Sequence, residues 1–171
     1  MNLIYANYYL DQVDVETNFL NACIGFEVLH RETMDFKSID DDEFKARKSL
    51  IKQNITDQKI KDWILSQIQN SNKPRFRERL ESVRDIIEFI ETDPTEFIKN
   101  AVDNRNSYVH YERNRKNILN GFKLWVLTLK MHILVKALLC TQLGLPKELI
   151  ENKLKSVAPK IQNLRGRAYW T

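Results

Sequence analysis

Residues 101 to 115 read AVDNRNSYVHYERNR, and within them Arg105 and His110 bracket four other residues. An imidazole moves protons near neutral pH, and a guanidinium grips an oxyanion through two parallel N–H bonds. Asn106 adds an amide that can orient either group. The spacing is awkward for joint work, because at about 100° per residue two side chains five apart on a continuous helix diverge by roughly 140°. They converge only if the helix ends shortly after Arg105, turning His110 into the same cleft, or if a second copy of the chain supplies the partner. The plain alternative is that Arg105 and Asn106 satisfy the last carbonyls of a helix and that His110 is a loop residue with no task. Taken bare, Arg-x4-His is weak evidence, since this spacing arises readily by chance.

Few other residues offer chemistry. Glu27 and His30 fall three apart, on one helical face, where they can hydrogen-bond each other or support Arg105 from behind, a structural duty being the plainer reading of both. His132 lies in an apolar run and reads as a packing histidine. Cys23 and Cys140 sit in separate apolar helical runs and read as small buried hydrophobes. With three His and two Cys scattered over distant segments, neither a metal site nor a bound cofactor is expected.

The elements that must position these groups read as helices. Apolar residues at steps of three and four run from Leu3 to about His30, and RETMDFKSIDDDE (31 to 43) loses that period and gathers Asp near a second helix start at Asp40 to Asp42. That helix carries Phe44, Leu50 and Ile51. A break at Ile55 to Asp57 restarts a helix through Ile60, Trp63 and Ile68, and NSNKP (70 to 74) is a loop. One stripe from Phe76 through Leu80, Val83, Ile86, Ile87 and Ile90 predicts a single helix. Asp93 then caps the next, with Pro94 at its first position and Glu96 three after the cap. The most apolar stretch follows Arg115 and closes at Gly144. It is the expected central helix, too polar at Lys123, Lys130, His132 and Lys136 for a membrane span. Pro146 opens a last short helix, LPKELIENKLKSV, ahead of a tail. No strand-length alternation occurs. The expected fold is all-α, an antiparallel helical bundle with additional short helices, forming one domain over residues 1 to 171.

Composition agrees. A content of 43% hydrophobic and 29% charged residues suits an ordinary globule, and four Gly and four Pro are few for a turn-rich sheet protein. No basic region followed by a sustained apolar stretch opens the chain, so a cytoplasmic location is expected. Residues 1 to 43 carry ten acidic and two basic side chains, a net −8 within an overall +4, which leaves +12 for residues 44 to 171. Basic side chains cluster in KPRFRERLESVR (73 to 84), in ERNRK (112 to 116) and at Arg165 and Arg167. Each cluster is either a solvated helix face or part of a surface for an anionic partner.

The run DNRNSYVHYERN, placed after a capped helix and before a long apolar helix ending LLCTQLGL, resembles the HEPN superfamily of small helical domains, and within it the Apea-like HEPN domains. Arg105 and His110 match that family's Arg-x4-His signature and Asn106 its following polar residue; FLNACIGFEVLHRE (19 to 32) is similar to its first-helix pattern, with Glu27 and His30 at the polar places. The resemblance implies a two-fold homodimer and a metal-independent endoribonuclease acting on RNA, in a toxin or antiphage defence system, with a composite site where two protomers meet. It further implies His110 as general acid and base, Arg105 as phosphate clamp, and Asn106 as the residue that orients either group or the 2′-OH. The basic clusters would form the RNA track, with Tyr108 and Tyr111 either stacking on bases or packing internally. Where some relatives place a modifiable Tyr two after the His, this chain has Glu112, so that regulation does not carry over. Domains of this kind stand alone or form the C-terminal part of a longer protein with a β-rich sensor ahead, and some are neutralised by an antitoxin. Two rival readings stay open. One is a catalytically inactive domain kept for RNA or nucleotide binding or for dimerisation; the other is a helical scaffold whose basic faces bind an acidic protein.

Overall fold

The computed structural model describes residues 14–34, 36–69, 71–110 and 118–167. Among them are eight helices and no strand: α1 (Val15–Thr33), α2 (Asp41–Asn54), α3 (Gln58–Ile68), α4 (Phe76–Glu81), α5 (Arg84–Ile87), α6 (Pro94–His110), α7 (Gly121–Gln142) and α8 (Lys147–Arg167). The all-α expectation holds. The N-terminal half of the first expected helix, Tyr111, the ERNRK cluster and the end of the tail lie outside the described residues.

The caps follow the side chains that can make them. Asp14 accepts from the Thr17 N–H, so α1 starts at Val15. Asp40 accepts from the N–H groups of Asp42 and Glu43, and Asp93 from that of Glu96 at 2.9 Å. At the end of α7, Gly144 takes a φ of 74°. There its N–H bonds the Thr141 carbonyl while that of Leu145 bonds the Cys140 carbonyl, a Schellman closure.

Two expectations need correction. The stripe from Phe76 to Ile90 is not one helix: it breaks at Ser82 and Val83 into α4 and the single turn α5, and Ile90 falls in the turn that follows. Leu80, Val83, Ile87 and Ile90 all stay buried through the break, so an apolar period that suits one helix also suits a chain of tight turns. The last helix is not short. It continues through Pro159, where the missing N–H removes one internal bond.

The core joins α1, α4, α5, α6 and α7, with Phe19, Phe26, Ile87, Ile98, Leu124, Met131 and Leu134 fully or nearly fully buried. The α1 and α7 pair is the most extensive contact, which makes α7 the central helix. This helix alone among the described residues is long and apolar enough to cross a membrane, and over half of its most apolar window is buried inside the fold. Midway along it the buried Lys130 pairs with the buried Glu91. A cation there without its carboxylate would be severely destabilising. α8 packs on α7 through Leu154 and Ile150. In contrast, α2 and α3 bury no residue and form an outlying hairpin.

Candidate functional site

α6 carries all three predicted site residues, and it runs unbroken from Pro94 to His110. The expectation that the helix ends shortly after Arg105 is therefore overturned. Nothing between the two residues breaks helical geometry: Asn106, Ser107, Tyr108 and Val109 include neither Pro nor Gly, and Ser107 and Tyr108 are drawn toward the core. Arg105 and His110 thus leave the helix in directions about 140° apart.

Arg105 points into the seam between α1 and α4. Its Nη2 donates to Glu27 Oε2 at 3.2 Å, and its guanidinium lies over the Phe76 ring, 5.7 Å from the centroid. The two ion-paired side chains are 28% and 27% exposed, so the guanidinium is fixed on its inner side and open on its outer side. Cys23, one turn before Glu27 on α1, is fully buried; burial pushes its thiol far above the ordinary range, with the Glu27 charge adding to the rise and Arg105 opposing it. It is no nucleophile. Cys140 is only partly buried, so the expectation of two core cysteines holds for Cys23 alone.

Asn106 is in contact with one of the pair. Its Oδ1 accepts from Arg105 Nη1 at 3.3 Å, and it sits four residues before His110, hence on the same stripe of α6. The long arginine reaches round the helix toward the face that carries the imidazole. His110 is the last described residue of α6, exposed, beside the exposed Val109. Its ring makes no hydrogen bond among the described residues.

Behind this edge, α6 is pinned by side chains that chemistry does not need. Asn104 is fully buried; its Nδ2 donates to the Asn100 carbonyl at 2.7 Å and its Oδ1 accepts the Leu119 N–H at 2.7 Å. Tyr108 donates its hydroxyl to the Leu119 carbonyl at 2.6 Å and meets Phe19 edge-on. That resolves the choice for Tyr108 in favour of packing. Glu27 and His30 do not bond each other. Glu27 serves Arg105, while the buried His30 bonds Ser82 and Arg79 on and just after α4. Burial and the Arg79 charge hold its imidazole below the ordinary histidine range. His132 packs against α1, its Nε2 3.3 Å from Asn18 Oδ1.

Phe76 and Arg79 escaped notice as individuals in the sequence. Their partners lie 29 and 49 positions away, and no local spacing carries that information. No cluster of three or more metal-ligating side chains forms among the described residues.

The family model described as Apea-like HEPN matches residues 20–149, a span that includes Glu27, Arg105, Asn106 and His110. No curated protein and no solved structure matches the chain.

Proposed function

Since the chain belongs to the Apea-like HEPN family, we propose that it is a metal-independent endoribonuclease whose active site is completed by a second copy of itself. The observation that supports this reading is Arg105: clamped from behind by Glu27, bridged to Asn106 and open to solvent in front, it is a guanidinium already oriented for an anion. In this reading His110, exposed one turn beyond Asn106, acts on a phosphate held by a second copy rather than on one held by its own Arg105.

The chemistry follows from the residues. A neutral imidazole takes the proton of the 2′-OH, whose oxygen attacks the adjacent phosphorus; the P–O5′ bond breaks, an imidazolium returns a proton to the 5′ oxygen, and a 2′,3′-cyclic phosphate remains. Arg105 opposes the charge that gathers on the phosphorane oxygens. One imidazole serves both transfers, taking a proton as base and returning it as acid, so a dimer holds two such sites, each built from the His110 of one protomer and the Arg105 of the other. The reaction takes place in the cytoplasm, within a toxin or antiphage defence system held in check by an antitoxin or by an attached sensor region.

Single-stranded RNA incubated with the purified protein in excess chelator tests the reading, beside His110→Ala and Arg105→Ala variants. Cleavage by the wild type alone is expected. No cleavage by any, or equal cleavage by all three, would sink it, and binding without cleavage would favour an inactive RNA-binding domain.

A further inference from the structure

Five cations lie on and around α4, between residues 73 and 84, yet they are not equivalent. Arg75 and Arg77 are exposed, and Arg84 is neutralised by Glu81 at 2.9 Å. Glu78 accepts from the Arg75 N–H and the Ser38 hydroxyl, each at 2.8 Å. Arg79 alone is held by an uncharged buried side chain. Its Nη1 donates to His30 Nδ1 at 3.0 Å. Arginine has no acceptor, so Nδ1 must present its lone pair, and Nε2 carries the proton that goes to Ser82 Oγ at 2.8 Å. The Ser82 hydroxyl in turn donates to the Arg79 carbonyl at 2.8 Å. This circuit begins and ends on Arg79 and closes only with a neutral imidazole. The imidazole is wholly buried and meets the rings of Phe26 and Phe36. It fixes the guanidinium without cancelling its charge.

The second observation is where that guanidinium stands. On α1, Glu27 receives Arg105 and His30, three residues on, receives Arg79. On α4, Phe76 lies under Arg105, and Arg79 is three residues on. Two helices independently set the anchors of the two guanidiniums one turn apart, with roughly 5–6 Å between the Cβ atoms of each such pair.

We propose that Arg79 is a second phosphate-binding residue, gripping the phosphodiester next to the scissile one so that the RNA strand runs from Arg105 along α4. The assignment rests on the ribonuclease reading of the Arg105 site. It gives the neutral His30 a purpose as the residue that positions Arg79.

The test compares Arg79→Gln and Arg79→Lys with the wild-type chain in two assays. Binding of labelled single-stranded RNA is followed against salt in a His110→Ala background. Loss of one phosphate contact lowers the slope of log affinity on log salt by about 0.7 for Gln, whereas Lys keeps the charge and the slope. Cleavage of a dinucleoside monophosphate is compared with that of a trinucleoside diphosphate. The ratio of kcat/KM for the longer to the shorter substrate falls about tenfold for Gln and part of the way for Lys, which cannot grip with a fork. Should melting show the Gln variant unfolded, the Lys ratio decides. An unchanged slope and ratio overturn the role of Arg79 and leave the ribonuclease reading standing. A wild type that binds with an Arg79-dependent slope but never cleaves upholds the phosphate contact and overturns the ribonuclease reading. No binding of RNA overturns both.

Discussion

Arg105 and Glu27 meet through one 3.2 Å bond at a partly exposed site, where an ion pair contributes of order 0–1 kcal/mol to stability. Its use is therefore direction, not strength. Glu27→Ala is expected to lower kcat/KM for RNA by about 10–100-fold, as for other residues that orient a reacting group from behind, with Glu27→Gln recovering part of it through its amide oxygen. Melting temperature should barely move. Equal activity of the wild type and the Ala variant would show that Arg105 needs no support. His30 makes the opposite bargain, since a buried neutral imidazole protonates more readily in the unfolded chain than in the fold. Its folded pKa lies below the ordinary 6.5, and burial lowers that of His132 too. The unfolded state thus takes up more protons as pH drops, so their contribution to stability is complete above 6.5 and is lost as pH falls below it. Urea midpoints should decline from pH 7.5 to 5.5, less steeply in His30→Gln. A flat wild-type profile would rule out a neutral His30.

At the scale of elements, the site depends on how α6 is held, and the hold is the backbone of Leu119. Its N–H goes to Asn104 and its carbonyl to Tyr108, so the chain entering α7 is fastened to the half of α6 that bears Arg105 and His110. Asn104→Ala leaves the Leu119 N–H and the cavity behind it without a partner, and is expected to cost about 1–3 kcal/mol in denaturant unfolding. A change below 0.5 kcal/mol, smaller than one ordinary internal hydrogen bond, would mean that water replaces the amide. Such fastenings were illegible in the sequence because they pair an amide on one helix with a connector 15 residues on. What could be read was local. Asp40, Asp93 and Gly144 mark helix ends through bonds to neighbours within a few residues, and they stand where expected. The break at Ser82 was hidden by an apolar stripe that survives it. The continuation of α6 to His110 was hidden by chemistry: convergence of Arg105 and His110 in one protomer demands an end that the residues themselves do not encode. Glu27 was legible because the family resemblance puts it and His30 at the polar places of the first helix, three apart on one face, yet which of the two would take Arg105 needed the third dimension.

For the whole molecule, the unbroken α6 turns an awkward spacing into a statement about assembly. One protomer holds its Arg105 in the α1 and α4 seam while its His110, exposed beside Val109, leaves the unbroken helix in a direction about 140° away, so the fold of one chain does not aim both at a single phosphate. A two-fold partner removes the difficulty, because isologous contact lets the His110 of each copy approach the Arg105 of the other. Subunit exchange separates this trans arrangement from a site built within one chain. Arg105→Ala and His110→Ala variants, each inactive alone, are unfolded together and refolded as a mixture. Random pairing makes half the dimers mixed, and each mixed dimer retains one Arg105 and one His110 on opposite protomers, so activity should return to roughly one quarter of wild type. A site assembled within a single chain predicts no recovery at all, since every chain in the mixture lacks one of the two groups. Failure to regain activity while sedimentation shows that mixed dimers have formed would therefore place the chemistry within one protomer and require the last turn of α6 to open before catalysis.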